Sequence, residues 1–319
     1  MIIDDEAASL VSLGMIAIKT VGLRKIYKSG LARKVEALKG LDLEIEEGET
    51  FGYLGPNGAG KTTTLKLILG LMHPTSGAAY ILGKDSRTVG VRNEIGFLPE
   101  QPYFYSYLTA YEFLSFYSRL FDISNGSCRQ RIDELLALVG LKGKGHLQLR
   151  KFSKGMLQRL GIAQALMNDP RVIFFDEPFS GLDPIGRKEI RDIVLKLKER
   201  GKTIFFCSHI LSDVEMVCDR VGILVNGELK AVGRIDSLLE AKLKSVEIAF
   251  SGLGEKAKEK IRPIATRMLD QADKTLAVVP DRKAADQVVR IISEEQGSLI
   301  SLTPIRETLE DIFLKEVAG

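Results

Sequence analysis

A glycine-rich loop that ends in lysine and threonine is the strongest chemical signal in the sequence. Residues 55–62 read Gly-Pro-Asn-Gly-Ala-Gly-Lys-Thr and fit the pattern GxxxxGK[ST]. In such a loop, backbone N–H groups and the start of the following helix point at a phosphate group. The Lys61 ammonium can reach β- and γ-phosphates, and the Thr62 hydroxyl can hold Mg²⁺. The loop therefore predicts a nucleotide site rather than a turn that only caps a helix. Its residues are Gly55, Pro56, Asn57, Gly58, Ala59, Gly60, Lys61, Thr62 and Thr63.

An acidic pair at the end of an apolar strand is the second signal. The run Val172–Phe175 is followed by Asp176 and Glu177. An α/β sheet presents its ligand groups at the ends of parallel strands, so we expect Asp176 to face the metal. Glu177 is placed to polarise a water molecule for attack on the γ-phosphate. Such a pair taken alone often caps a helix, and its combination with the loop favours catalysis.

Alternating strand and helix patterns between Ile16 and about Val232 predict the sheet that positions these groups. Short apolar runs alternate with segments of helical period, which indicates an α/β layer structure, and the glycine-rich loop makes it a fold of the P-loop type. Helical spacing from Thr109 to Met167 predicts a helical insert. The last four strands are nearly all apolar, which predicts burial on both faces. The predicted strands are Ile16–Val21, Leu41–Ile45, Thr50–Leu54, Ile95–Leu98, Val172–Asp176, Thr203–Cys207 and Val221–Val225.

The pattern changes after about Lys244 to the order β-α-β-β-α-β, which predicts a small α+β ferredoxin-like domain with a closing helix. Charged residues Asp236–Lys244 are the predicted linker. Met15 is a candidate start, because strand-like alternation begins only at Ile16. The predicted domains are a disordered leader over residues 1–14, an α/β ATPase domain over 15–240 with a helical subdomain at about 103–168, and an accessory domain over 241–319.

Composition limits the class of protein further. The 319 residues include 45 Lys and Arg against 42 Asp and Glu, and a net charge of +3 leaves no basic excess for binding a long stretch of nucleic acid. No apolar run approaches the roughly 18 residues of a transmembrane helix. Cys128, Cys207 and Cys218 lack CxxC spacing, which predicts buried thiols in a reducing compartment. We therefore expect a cytoplasmic protein without a nucleic-acid partner.

Further motifs in the first domain resemble those of the nucleotide-binding subunits of ABC transporters. Phe152-Ser-Lys-Gly-Met156, followed by Gln158-Arg159, is similar to the ABC signature motif. Ser180-Gly-Leu-Asp183 resembles the D-loop, and His209 resembles the switch histidine. Tyr27 stands where this family places an aromatic ring against adenine. His209 or Tyr27 alone would more often be structural, so the resemblance depends on the order and spacing of all the motifs.

The signature motif departs from the family pattern at two positions. Lys154 replaces the first glycine and Met156 replaces glutamine, whereas Ser153 and Gly155 match. The serine hydroxyl and the helix N-terminus are the parts that can bind a γ-phosphate. We therefore expect the motif to function.

The Q-loop also departs from the family pattern. Glu100 stands where most of the family has glutamine, and Gln101 follows it, so either side chain is a candidate for the metal site. Both departures, together with residues Glu307–Phe313, resemble the ATPases of type-2 ABC exporters. In that subset a small C-terminal domain follows the ATPase domain, which extends the resemblance to nearly the whole chain.

The resemblance implies a Mg²⁺-dependent ATPase on the inner face of the cell membrane that drives a separate transmembrane permease subunit. Two copies, or one copy and a second ATPase chain, would close on two ATP molecules. The implied catalytic residues are Lys61, which neutralises phosphate charge, Glu177, which activates water, and His209, which senses the γ-phosphate. The resemblance adds Tyr27, Ser153, Gly155 and Asp183 to the nucleotide site, and Glu100 or Gln101 to the metal ligands Thr62 and Asp176.

An aromatic-rich segment over residues 103–121 holds nine of the 22 aromatic residues. The core of the helical insert should take Phe113, Phe116 and Phe121. In the resembling family, this region accepts a short helix of the membrane subunit. We therefore expect some residues of Tyr103–Tyr107 to be exposed.

Two other classes of ATPase compete with the transporter interpretation. A chromosome-organising or repair ATPase would normally carry a long coiled coil, and no sustained heptads separate Lys61 from Asp176. A soluble assembly ATPase without a channel has no such distinguishing feature. That alternative stays open on the sequence alone.

Overall fold

The structure is a computed structural model, and it describes residues 15–29, 33–123, 125–240, 243–271, 273–306 and 308–318. The predicted leader over residues 1–14 lies outside the described residues. The fold divides between Arg234 and Ile235 into two units, each with its own hydrophobic core.

Two sheets form the first unit. Its strands within the described residues are β1 (Ile16–Ser29), β2 (Arg33–Glu46), β3 (Thr50–Leu54), β4 (Ser76–Ile81), β5 (Lys84–Asp85), β6 (Ile95–Leu98), β7 (Val172–Asp176), β8 (Thr203–Ser208), β9 (Arg220–Val225) and β10 (Glu228–Arg234). One sheet has the order β10-β9-β3-β8-β7-β6, parallel except for β10. The other is antiparallel with the order β2-β1-β4-β5. The parallel sheet confirms the predicted α/β class.

The strand bounds match the prediction best in the middle of the parallel sheet. β3, β6 and β7 have the predicted bounds, and β8 and β9 are each one residue longer. The sequence pattern does not predict β4, β5 or β10. These strands lie at or next to sheet edges, and their small or charged residues leave them largely half-exposed, so they carry a weak apolar signal.

Burial on both faces, predicted for the last four strands, depends on position in the sheet. Every residue of β7 and β8 is buried, and β9 is buried beyond its first residue. β6 alternates between half-buried and buried residues. The prediction was wrong for β6, because this strand lies at the sheet edge, where fewer neighbours cover its faces.

Helices connect the strands of the first unit. Within the described residues they are α1 (Lys61–Ile68), α2 (Ala110–Leu120), α3 (Asn125–Leu138), α4 (Lys154–Ala165), α5 (Pro184–Glu199) and α6 (Leu211–Val217). α2, α3 and α4 follow one another between β6 and β7, as the helical spacing predicted. α1 contributes Leu65 and Ile68 to a core shared with Ile18 of β1 and Phe174 of β7. This packing fixes the start of α1 at the end of the parallel sheet.

The aromatic residues of α2 divide between core and surface. Phe113 is buried, as predicted, and its ring packs against Phe104 and Tyr117. Phe116 is 50% exposed, so its assignment to the core was wrong. It lies two residues from the buried Leu114 and two from the buried Ser118, which turns it toward the outer side of the helix, where its ring meets Tyr117 edge-on. Phe121 is half-buried just beyond the end of α2.

The second unit follows the order β-α-β-β-α-β between two further helices. Its elements within the described residues are α7 (Ile235–Glu240), β11 (Leu243–Ser251), α8 (Glu255–Ile261), β12 (Arg267–Asp270), β13 (Thr275–Val279), α9 (Arg282–Glu294), β14 (Ser298–Arg306) and α10 (Leu309–Ala318). The antiparallel sheet has the order β12-β13-β11-β14. The linker predicted at Asp236–Lys244 was wrong, because α7 and the start of β11 occupy most of that segment.

The three cysteines are free and buried, as their spacing predicted. Burial raises the pKa of the Cys207 and Cys218 thiols well above the ordinary value, so both stay protonated and unreactive. Among the described residues, no helix is both long enough and apolar enough to cross a membrane.

Candidate functional site

The phosphate loop joins the end of β3 to the start of α1. Gly60, directly before α1, has a left-handed backbone with φ 111°. A Cβ added there would lie 2.4 Å from the Ala37 carbonyl oxygen of β2. A Cβ added at Gly55 would lie 2.5 Å from the Leu224 carbonyl oxygen of β9. Neighbouring backbone therefore leaves room only for glycine at both positions.

Lys61 points back over the loop that precedes it. Its Nζ donates a hydrogen bond to the Gly55 carbonyl at 2.7 Å and lies 3.4 Å from the Pro56 carbonyl oxygen. The same atom is 3.5 Å from Oε1 of Glu177, and both side chains are buried. An ammonium in this position can exchange its neutral carbonyl contacts for charge-assisted hydrogen bonds to phosphate oxygens.

Asp176 ends β7 and is buried beside the loop. Thr62 is one of its polar neighbours, and its Oδ1 has no hydrogen-bond partner among the described residues. Burial raises the pKa of Asp176 above its ordinary value, and the Glu100 and Glu177 carboxylates add to this, whereas Thr62 and Lys61 oppose it. A divalent cation would coordinate the unpaired oxygen and offset the crowded negative charge, so these groups fit Mg²⁺.

The protein supplies few metal ligands of its own. Within the described residues, no group of three or more His, Cys, Asp or Glu side chains is arranged to hold a metal ion. Mg²⁺ commonly keeps several water ligands and binds through one or two carboxylates plus substrate phosphates. Oxygen donors from Thr62 and Asp176 are consistent with that mode of binding.

Glu177 has a strained backbone directly after β7. Its φ of 50° lies in the left-handed region that favours glycine, and such residues concentrate at functional sites. Its N–H donates to the Cys207 carbonyl at 3.0 Å, which ties it to β8. Its Oε2 lies 2.8 Å from Nδ1 of His209 and accepts the His209 backbone N–H at 3.3 Å. Neighbouring parallel strands thus bring the two predicted catalytic side chains into contact.

One cavity of about 510 Å³ joins Lys61, Thr62, Glu177 and His209. Its volume lies in the range of small-molecule and cofactor pockets. The residues that line it are Ala37, Pro56, Asn57, Gly58, Gly60, Lys61, Thr62, Thr63, Glu100, Glu177, Ser180 and His209.

The cavity lining distinguishes between the two Q-loop candidates. It also includes two residues that were not predicted for the site. Glu100 lines the cavity, and Gln101 is exposed and is not part of the described lining. Ala37 lies in β2, in no motif, and no sequence signal indicated it. Ser180 could have been found, because it begins the segment that resembles the D-loop.

Six residues predicted for the nucleotide site lie outside the described lining of this cavity, and two of them, Gly55 and Ala59, belong to the loop itself. The Ser153 hydroxyl caps α4 by accepting the Met156 N–H, and Asp183 caps α5. Gly155 lies in the first turn of α4. The Tyr27 hydroxyl lies 3.3 Å from the Thr63 hydroxyl, so this ring stands next to the loop, and it is partly exposed.

Comparisons with known proteins point to one family. Residues 38–180 match the family described as ABC transporter. An uncharacterized ABC transporter ATP-binding protein of Nostoc sp. is 54% identical over 226 residues, which covers 70% of this chain and 68% of the relative. The bacitracin transport ATP-binding protein BcrA of Bacillus licheniformis is 36% identical over 307 residues, or 95% of this chain and 97% of the relative. The solved dimeric post-hydrolysis structure of the ATP-binding cassette MJ0796, bound to ADP and Pi, is 30% identical with a TM-score of 0.62, and covers 68% of this chain and 98% of that one.

Proposed function

The chain belongs to the ABC transporter ATP-binding proteins, and we propose that it is the Mg²⁺-dependent motor of an exporter whose channel is a separate transmembrane subunit. As a member of this family it is an ATP-binding subunit of an ABC transporter. The observation that carries the mechanism is the single cavity in which Lys61, Thr62, Glu177 and His209 meet beside Asp176.

The proposed chemistry assigns each of these groups a separate task. Lys61 binds and neutralises the β- and γ-phosphates from inside the loop. Glu177 takes a proton from the attacking water, and His209, in contact with its Oε2, holds that carboxylate in position. Mg²⁺, when bound, neutralises phosphate charge, and Thr62, Asp176 and Glu100 are the residues that would hold it.

The position of the signature motif favours a dimer. Ser153 and Gly155 lie at the start of α4 and do not belong to the described lining of their own chain's cavity. A second chain would therefore present its α4 N-terminus to the γ-phosphate in this cavity, and Asp183 would stand nearby in the D-loop. The dimeric cassette MJ0796 supports this arrangement. We propose a homodimer, and a heterodimer with another ATPase chain is the alternative.

The helical insert is the proposed contact with the permease. Tyr103, Tyr105 and Tyr107 are 77%, 44% and 67% exposed, and their rings form a continuous series of contacts. A crevice of about 330 Å³ lies between α2 and α3. An exposed aromatic patch is a surface that can accept an apolar helix.

We also propose that the transporter is an exporter and that this chain lies in the cytoplasm, on the inner face of the membrane. Both proposals are supported by the sequence resemblance to type-2 exporter ATPases and by similarity to a protein named for bacitracin transport. The competing function is a soluble ABC-type ATPase without a channel. These two functions can be distinguished by whether the protein associates with membranes.

The first prediction concerns the tyrosine patch. Changing Tyr105 and Tyr107 to serine should move most of the protein from the membrane fraction of producing cells to the soluble fraction, because the apolar contact area is lost. ATP affinity should change less than about twofold, since neither residue lines the nucleotide cavity. Sedimentation and immunoblotting measure the distribution, and calorimetry measures ATP binding.

A matched control for the tyrosine pair is the double change Leu71→Ser and Val89→Ser, which removes two exposed apolar side chains outside the insert. These changes should leave membrane association intact. Retention of the tyrosine variant on membranes would place the contact elsewhere. A wild-type protein found only in the soluble fraction would favour the ATPase without a channel.

The second prediction concerns the metal. Asp176→Asn keeps the side-chain shape and removes the charge beside Thr62, so the Mg²⁺ concentration for half-maximal hydrolysis should rise at least about tenfold. Titration of ATPase activity with Mg²⁺ measures the change. Asp85→Asn, at a half-buried carboxylate paired with Arg87 and outside the described lining of the cavity, is the control and should leave the titration unchanged. An unchanged Mg²⁺ requirement in Asp176→Asn would exclude Asp176 as a ligand.

A further inference from the structure

A buried carboxylate that the mechanism does not use lies outside the cavity, between α5 and α6. Asp213 of α6 is only 5% exposed, and its Oδ2 has no hydrogen-bond partner among the described residues. Guanidinium groups of Arg187 and Arg191, both on α5, approach it to 3.9 and 3.8 Å. A buried charge that is paired without hydrogen bonds is costly to maintain in a fold. This cost makes Asp213 a candidate for a role other than stability.

One of these guanidiniums also contacts the D-loop. Nε of Arg187 donates to the Leu182 carbonyl at 3.3 Å, and Leu182 belongs to the segment Ser180–Asp183. Ser180 of that segment lines the nucleotide cavity. Arg187 therefore stands between the D-loop and Asp213. A displacement of about 1 Å would bring its guanidinium within hydrogen-bond distance of the carboxylate.

The helix that carries Asp213 is connected at its start to His209. α6 begins at Leu211, two residues after His209. The short connection is held by a hydrogen bond from the Ile210 N–H to the Ser208 hydroxyl at 3.0 Å. α6 also fits closely on β3, because a Cβ added at Gly52 would lie 2.6 Å from a methyl group of Val214. Because the connection from His209 to α6 is short and α6 packs closely on β3, a shift of α6 would move His209 relative to Glu177.

We propose that Asp213 is a positioning residue for ATP hydrolysis, which through Arg187 holds α6, and with it His209, in register with the D-loop. Arg191, whose guanidinium also contacts the Met216 sulfur, supplies a second balancing charge. The inference rests on the proposed function and adds to it a physical connection inside one chain. The connection runs from the D-loop through Arg187 and Asp213 to the histidine that contacts the catalytic base.

The test is a double-mutant cycle between Asp213 and His209. Asp213→Asn keeps the shape and removes the charge, so kcat for ATP hydrolysis should fall about tenfold or more, with KM for ATP within about twofold. Single-turnover hydrolysis of radiolabelled ATP makes slow variants measurable. In a His209→Ala background, Asp213→Asn should cause no further loss, because its effect passes through that histidine. A purely structural role would lower activity equally in both backgrounds and would overturn the proposal.

Asp219→Asn is the matched control, because Asp219 also pairs with α5, through Lys198 at 2.6 Å, but lies at the other end of α6. It should lower the melting temperature without the selective loss of kcat. If Asp213→Asn fails to fold, Arg187→Gln replaces it, since Arg187 is partly exposed and its change should give the same non-additive loss. An unchanged kcat in Arg187→Gln would overturn the proposal. A wild-type protein that does not hydrolyse ATP would instead contradict the proposed function.

Discussion

Replacing Lys61 with alanine should weaken ATP binding by about 10- to 100-fold and leave the fold intact. The Lys61 ammonium lies inside the phosphate loop, 2.7 Å from the Gly55 carbonyl, where the β- and γ-phosphates would bind. A hydrogen bond to a charged group contributes about 1.5–3 kcal/mol, and each 1.4 kcal/mol is a factor of about ten in affinity. Removal of the charge also leaves Glu177 without its ion-pair partner at 3.5 Å, which adds repulsion toward the γ-phosphate.

Calorimetric titration with ATP measures this loss, and thermal unfolding followed by circular dichroism checks the fold. Lys66→Ala is the matched control, because Lys66 lies on the same helix, α1, but is exposed and lies outside the described lining of the cavity. It should bind ATP with wild-type affinity. Equal affinities for wild type and Lys61→Ala would show that the loop does not hold the phosphates as proposed.

The parts of the site that sequence predicted best are those fixed by local backbone. Gly60 must be glycine, because its φ is positive and the Ala37 carbonyl lies against it, so the motif is visible in the sequence. The strand β7 is equally visible, because burial on both faces of a parallel sheet requires an unbroken apolar run before Asp176. For the loop and for β7, the residues that meet the physical requirement all lie within one short segment of sequence.

The parts that sequence could not supply depend on segments distant in the chain. Ala37 enters the cavity only because β2 passes beside the loop, and its small side chain carries no chemical signal. The choice between Glu100 and Gln101 depends on how the chain turns after β6, and a single residue of offset reverses it. The Asp213 contacts depend in the same way on the packing of α5 against α6.

The misplaced core assignments have a similar cause. Phe116 is as apolar as Phe113, yet it lies off the face of α2 that the core covers, and it is 50% exposed. β6 is apolar throughout but lies at the sheet edge. Apolar composition therefore identified what can be buried, whereas the number of neighbouring elements decides what is buried.

The change with the largest expected effect on turnover is Glu177→Gln. The glutamine keeps the shape and can still hydrogen-bond the attacking water, but it cannot take the proton. General-base assistance contributes about 10²- to 10⁴-fold, so hydrolysis should fall by that factor while ATP still binds to Lys61. Steady-state ATPase assays measure the fall. Glu199→Gln, at the exposed end of α5, is the control and should hydrolyse ATP at the wild-type rate.

Binding without hydrolysis should also trap the closed dimer of Glu177→Gln. If Ser153 of one copy binds the γ-phosphate held by the other, the variant should change from monomer to dimer on a sizing column when Mg-ATP is added. Adding Ser153→Arg should abolish this change, because a large cation replaces the small cap at the start of α4. Hydrolysis at the wild-type rate in Glu177→Gln would refute Glu177 as the base. A variant that binds ATP but stays monomeric at saturating Mg-ATP would instead count against the homodimer and favour a heterodimer, or a dimer that forms only with the membrane subunit.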